Sequence, residues 1–129
     1  MNDNELLQQA RLAAKKAYVP YSKFPVGAAV RGEDDKIYTG CNIENASYGL
    51  TVCAERVAIF KAVAAGNKKI QRLATSCIKG DKNQPATLMS CGACRQVMSE
   101  FMGDDTIIVV DGVGTFTMAE YLPSRFKLN

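Results

Sequence analysis

The chain reads as an α/β protein: a single mixed sheet of about five strands flanked by helices, layered α on β on α. Three observations predict this. Segments with apolar residues at helical spacing alternate along the chain with short β-branched segments. No Pro/Gly-rich, repetitive or low-complexity stretch divides the 129 residues, so one domain over residues 1–129 is expected. The composition, 47% hydrophobic and 22% charged, is enough for a buried core without disulfide staples.

The elements follow in order. Leu6, Leu7, Ala10, Ala13, Ala14 and Ala17 share one helical face, with Asn2 or Asp3 placed to cap its start. The segment Tyr18-Val-Pro-Tyr-Ser-Lys-Phe-Pro25 ends that helix, because its prolines lack the N–H that a helix needs. Val26 to Arg31 and Ile37 to Cys41 are expected strands, joined by the polar turn Gly32-Glu-Asp-Asp-Lys36. A loop from Asn42 to Thr51 leads into a second helix, Cys53 to about Ala65, ended by Gly66-Asn67. Ile70 to Ile78 reads as a buried strand and Gly80 to Ser90 as a polar loop. Cys91 to about Phe101 is a third helix, closed by Gly103. Thr106 to Asp111 is β-branched throughout its centre, as in strands buried on both faces. The tail, Thr115 to Asn129, is expected to add an edge strand and a short helix around Met118 to Leu122.

The formal net charge is +3, and the Lys and Arg residues are scattered (Lys15-Lys16, Lys68-Lys69, Arg125, Lys127). That pattern describes a solvated exterior. A nucleic-acid surface would concentrate basic residues among aromatics, so no nucleic-acid partner is expected. The first residues lack an apolar h-region, and the longest aliphatic stretch, Ile107 to Val110, is too short for a bilayer. No membrane partner is therefore expected, and a cytoplasmic location is. Five cysteines in a reducing compartment do not suggest a disulfide framework, and the odd number agrees. Metal ligation or catalysis is the better use for some of them.

Cys91-Gly92-Ala93-Cys94 is a C-x-x-C pair at the start of an expected helix; alone it also fits a redox pair. Cys53-Ala54-Glu55 stands at the start of another, and two helix N-termini aimed at one spot would favour thiolates. Three Cys ligands (Cys53, Cys91, Cys94) leave one tetrahedral position of a single zinc ion open, the catalytic arrangement. The chain has no histidine to close it. Glu55 projects from the same turn as Cys53, where a carboxylate can take a proton from zinc-bound water and return it to a substrate. Arg56 can hydrogen-bond the cysteine sulfurs and offset their charge. Cys41 and Cys77, within expected strands, are read as structural thiols.

These motifs, with Phe24-Pro-Val-Gly-Ala-Ala29, Gly40-Cys-Asn-Ile-Glu-Asn-Ala-Ser-Tyr48 and Cys91-Gly-Ala-Cys-Arg-Gln96, run over nearly the whole chain. On them the chain resembles the small, homotetrameric cytidine deaminase family. The resemblance implies zinc-dependent hydrolytic deamination of free cytidine and 2′-deoxycytidine in pyrimidine salvage. Zinc-bound hydroxide would add to C4 of the ring while Glu55 shuttles protons, and ammonia would leave. It further implies that Asn42 and Glu44 bind the ribose hydroxyls. Residues i and i+2 of an extended segment face one side, so both could converge on one ligand. By the same resemblance Phe24 packs on the pyrimidine. A backbone carbonyl near the C-x-x-C pair and that of Ala54 are candidates to hold the amino group. Tyr48 and Phe126 are the residues expected where neighbouring chains of a tetramer close each pocket. The family's usual proline before the C-x-x-C pair is Ser90 here, a residue able to cap the following helix through its hydroxyl. A deaminase of a modified cytosine nucleoside, of the blasticidin S type, shares the metal motifs but not the Phe24 and Asn42/Glu44 set. A strand-editing deaminase would need a nucleic-acid groove, and a non-catalytic zinc module a fourth ligand.

Overall fold

The computed structural model describes residues 2–128; Met1 and Asn129, the ends of the expected domain, lie outside the described residues. Helix α1 (Asp3–Ala14) begins at Asn2, whose side chain accepts hydrogen bonds from the backbone of Asn4 and Glu5. It ends at Ala14, three residues short of the apolar pattern. Ala17 falls instead in the segment leading to Tyr18, whose N–H donates to Asn42 O.

Strands β1 (Val26–Gly32), β2 (Ile37–Cys41), β3 (Ile70–Cys77), β4 (Ile107–Val110) and β5 (Gly114–Thr117) form one five-stranded sheet. The order is β2-β1-β3-β4-β5. All neighbours are antiparallel except β3 and β4, so the sheet is mixed as expected. The parallel pair is joined through the crossover helix α3 (Gly92–Phe101).

Strand alternation builds two cores. Ala28 and Val30 of β1, Leu73 of β3, and Ile108 and Val110 of β4 face α3 and α2 (Ala54–Ala64), packing with Ala58, Ile59 and Met98. The intervening Ala29, Ala74 and Val109 face α1 and pack with Leu6 and Ala10. Three consecutive β4 residues, Ile108 to Val110, are therefore buried, as a strand covered on both faces requires. On the α1 side Arg72 pairs with Asp3 at 2.6 Å and Arg11 with Asp111 at 2.7 Å.

Two glycines set how closely the helices approach. A Cβ on Gly27 would overlap Ala10 O and Ala14 N of α1. A Cβ on Gly40 would lie 2.5 Å from Ala58 N and 2.6 Å from Ala54 O. The first turn of α2 thus sits directly on β2, and that contact fixes where Cys53 and Glu55 stand. The expected polar loop before α3 contains a 3₁₀ turn, Pro85–Leu88, whose Leu88 is buried in the larger core. The tail forms β5 and the short helix α4 (Met118–Tyr121), capped reciprocally by Thr117 and Glu120.

Candidate active site

Cys53 is the N-cap of α2 and Cys91 the N-cap of α3, with Cys94 in the first turn of α3. Two helix starts therefore deliver three thiols to one point. The Sγ atoms of Cys53 and Cys91 are 3.7 Å apart, those of Cys91 and Cys94 3.4 Å, and all three lie within 4.8 Å of one another. A tetrahedral zinc with Zn–S bonds of ~2.3 Å needs sulfurs about 3.8 Å apart, so the donor set fits that ion. Among the described residues it is the one cluster of three or more metal-binding side chains. Cys94 is buried and Cys91 exposed, so the cluster reaches the surface on one side.

The electrostatics favour a thiolate. A hydrogen bond from Cys94 is the largest influence lowering the pKa of Cys53 to about 5, and Arg56 adds to it. Cys94, the partner in that bond, is shifted upward. Arg56 Nη2 donates to Cys53 Sγ at 3.5 Å, the placement expected of a residue that offsets ligand charge.

Glu55 is 4% exposed, and burial raises its carboxyl pKa, with Ser90 and Thr75 hydroxyls acting the other way. A carboxyl shifted upward holds a proton more readily than an exposed one, as a group that takes and returns protons requires. It lines a cavity of about 140 Å³ together with Cys53, Ala54, Cys91, Phe24 and Asn42. Six of the expected site residues are thereby brought together around one hollow.

The other expected residues are placed differently. Asn42 faces the cavity, but its amide is engaged: Oδ1 accepts from Val26 N and Nδ2 donates to Phe24 O, both at 2.9 Å. It fixes the approach to β1 and holds Phe24 in place. The Glu44 carboxylate accepts from Tyr21 N at 3.0 Å, Ser22 N at 3.1 Å and the Ser22 hydroxyl. The Ser22 hydroxyl is the first influence holding its pKa below the ordinary carboxylate value. Glu44 lines a separate cavity of about 420 Å³ with Tyr21, Ser22, Tyr48 and Thr51. The two side chains therefore do not make one open clamp in this structure; each is tied to local backbone first. Tyr48 is exposed and meets Tyr21 edge-on at 6.0 Å. Phe126 is exposed and lines another hollow with Gln96, Ser99 and Leu128.

Four further residues line the cavity: Val26, Thr87 and Met89, which were not singled out as site residues from the sequence, and Cys77, which was read there only as a structural thiol. Burial pushes the Cys77 thiol up to about 12, so it stays neutral as a structural cysteine should. Its place at the end of β3, facing the Cys53 side, was the available signal. Ser90 does not cap α3, whose N-cap is Cys91 and has no side-chain cap. Its hydroxyl is instead buried without a hydrogen-bond partner among the described residues.

The family described as "Cytidine and deoxycytidylate deaminase zinc-binding region" matches residues 1–110. A cytidine deaminase of Sporosarcina psychrophila is 43% identical over 131 residues, covering 98% of this chain and 93% of that one. One from Mycobacterium tuberculosis is 40% identical over 126 residues, covering 98% of this chain and 90% of the relative. The crystal structure of cytidine deaminase from Burkholderia pseudomallei superposes with a TM-score of 0.87 at 40% identity, covering 98% of this chain and all (100%) of the other. With the three-thiol cluster at two helix starts and this match along its length, the chain belongs to the cytidine and deoxycytidylate deaminase zinc-binding family.

Proposed function

We propose that the chain is a single catalytic domain that deaminates free cytidine and 2′-deoxycytidine by hydrolysis, giving the uridine nucleosides and ammonia for pyrimidine salvage. The observation that carries this reading is Glu55, buried beside three converging thiols in a cavity shared with Phe24 and Asn42. Cys53, Cys91 and Cys94 would hold one zinc ion, and when bound it supplies a Lewis acid that makes water nucleophilic near neutral pH. Glu55 takes the proton of that water and donates to N3 of the ring, which makes C4 more electrophilic. As the water oxygen bonds to C4, its remaining proton passes by way of Glu55 to the amino group, the C4–N bond breaks, and ammonia leaves. Phe24 offers its ring face to the pyrimidine. The Ala54 backbone holds the amino group, and Arg56 keeps negative charge from accumulating on Cys53. Glu44, ionised through Ser22, and Asn42 take the ribose hydroxyls.

The same reading makes the protein a cytoplasmic homotetramer with no nucleic-acid or membrane partner. Five free cysteines suit a reducing compartment. No helix among the described residues is long and apolar enough to cross a membrane. An apolar hollow of about 420 Å³ lined by Ile43, Leu50, Val52, Val57 and Phe60 suits a contact between copies. Tyr48 and Phe126, exposed in one chain, would then meet a neighbour's pocket.

The test is turnover of cytidine by zinc-loaded wild type and Glu55→Gln, followed by the change in ultraviolet absorbance. Loss of roughly 10²–10⁴-fold in the variant is expected, the usual contribution of a general acid–base. Equal rates would remove Glu55 from the chemistry.

A further inference from the structure

The cavity that holds Glu55 has two chemically different sides. Cys53, Glu55 and Cys91 line it with the groups used in the proposed reaction. Val26, Cys77, Thr87 and Met89 line it with side chains that offer a ligand no free hydrogen-bond donor. The Thr87 hydroxyl is committed within its own loop, donating to Gln84 O at 2.8 Å and accepting from Asp81 N at 3.0 Å. The Cys77 thiol donates to Leu88 O at 3.8 Å, and the Val26 N–H donates to Asn42 Oδ1 at 2.9 Å. Met89 carries a thioether, a weak acceptor at most.

This second side is held in place. Val26 and Cys77 are register partners on the adjacent strands β1 and β3. The Cys77 bond to Leu88 O brings the residue before Met89 against the end of β3, and Leu88 itself is 3% exposed. On the far side of Met89, the Ser90 N–H donates to the Tyr121 hydroxyl at 2.8 Å and the Ser90 carbonyl accepts from Arg95 Nε at 2.9 Å. Met89 is thus pinned through both neighbours and has little freedom to retreat from a ligand.

Size adds a second constraint. The cavity measures about 140 Å³. An apolar cavity of about 150 Å³ holds one benzene ring, so a single six-membered ring fills this one and the sugar stays outside. On cytosine O2, N3 and the amino group at C4 are polar, whereas C5–H and C6–H form an apolar edge. With C4 at the thiols and N3 at Glu55, C5 is the neighbour of C4 on the side away from Glu55.

We propose that Val26, Cys77, Thr87 and Met89 seat the C5–C6 edge of the ring, and that Met89 is a specificity-determining residue that excludes cytosine nucleosides substituted at C5. The inference rests on the cytidine reading above and on the ring orientation it gives. A methyl group at C5 overpacks a cavity already filled and pinned, and shortening Met89 makes room for it.

The experiment measures kcat/KM of zinc-loaded wild type, Met89→Ala and Met89→Val on cytidine and 5-methylcytidine. Calorimetric binding of the products, uridine and 5-methyluridine, is measured beside it and involves no turnover. Wild type should prefer cytidine roughly 10–200-fold, the range that one methyl or methylene commands in an apolar pocket. It should also bind uridine more tightly than 5-methyluridine. Met89→Ala should raise kcat/KM on 5-methylcytidine while lowering it on cytidine, with Met89→Val between it and wild type. A variant that is merely damaged loses on both substrates, so the gain on the larger one marks the role. Overturning results are a wild-type preference within about twofold, or a preference that both variants leave unchanged. If wild type binds the uridines but releases no ammonia from cytidine, the proposed function fails alone, and the ratio of uridine to 5-methyluridine binding across the variants decides the role of Met89. If it binds neither, both fall.

Discussion

Gly40 on β2 has the first turn of α2 pressed against it, and that contact sets where Cys53 and Glu55 stand. In Gly40→Ala the added carbon would lie 2.5 Å from Ala58 N, 2.6 Å from Ala54 O and 2.9 Å from Val57 Cβ. Ordinary contact needs about 3.5 Å, so α2 must lift from the sheet by roughly 1 Å. Two of the three atoms are helix backbone, which cannot turn aside as a flexible side chain would. Overpacking of this kind costs about 1–3 kcal/mol. For 129 residues the unfolding entropy is about 0.27 kcal/mol/K, so the thermal midpoint should fall by roughly 4–11 °C. A 1 Å displacement of a catalytic group lowers turnover about 10²-fold, and here Glu55 moves with the helix. The assay is calorimetry of the zinc-loaded variant alongside kcat on cytidine below its midpoint. A variant with wild-type midpoint and wild-type kcat would refute the claim that β2–α2 packing positions the site.

Other perturbations separate the remaining parts. Arg56→Gln removes the donor to Cys53 Sγ and should weaken zinc retention about 10–100-fold in a chelator competition, with the fold intact. In metal-free protein, thiolate absorbance should show a transition near pH 5 from Cys53, moving to higher pH in Arg56→Gln. Because that pKa lies below its ordinary 9.0, the stabilisation it brings is complete only above about pH 9. It is lost as pH falls through about 5, which melting of the metal-free protein across that window will register. Asn42→Ala breaks the hydrogen bonds to Phe24 O and Val26 N, and should cost about 1–3 kcal/mol in denaturant unfolding and raise KM as Phe24 loosens. Sedimentation of the intact chain should give a tetramer, with Phe60→Glu in the apolar hollow shifting it to smaller species.

What could be read in the sequence was local. Cys53, Glu55, Cys91 and Cys94 announce themselves because each pair lies within one helical turn, and a helix start tells where its side chains go. Strand β4 was legible for a similar reason, since its run of Ile and Val between turn residues reports burial directly. Contacts between distant segments were hidden. The hydrogen bonds of Asn42 to Phe24 and Val26 could not be read from its motif, because those partners come from a different strand approach. Glu44 likewise finds Tyr21 and Ser22 in a stretch that read only as a helix break. Ser90 looked like a cap, whereas Tyr121, thirty-one residues later, and Arg95 decide its surroundings. Helix α1 stopped early because Tyr18 N–H bonds to Asn42 O, a tertiary contact that overrides the run of alanines.

Cys53, Cys91 and Cys94 are proposed to hold one zinc with a position left open for hydrolysis beside Glu55. Titrating metal-free protein with zinc while recording ammonia release from cytidine reads this out. Expected are no release without metal, a linear rise, and a plateau at about one zinc per chain that Cys91→Ala does not reach. Release that is already full in metal-free protein, or absent at the plateau, would contradict it.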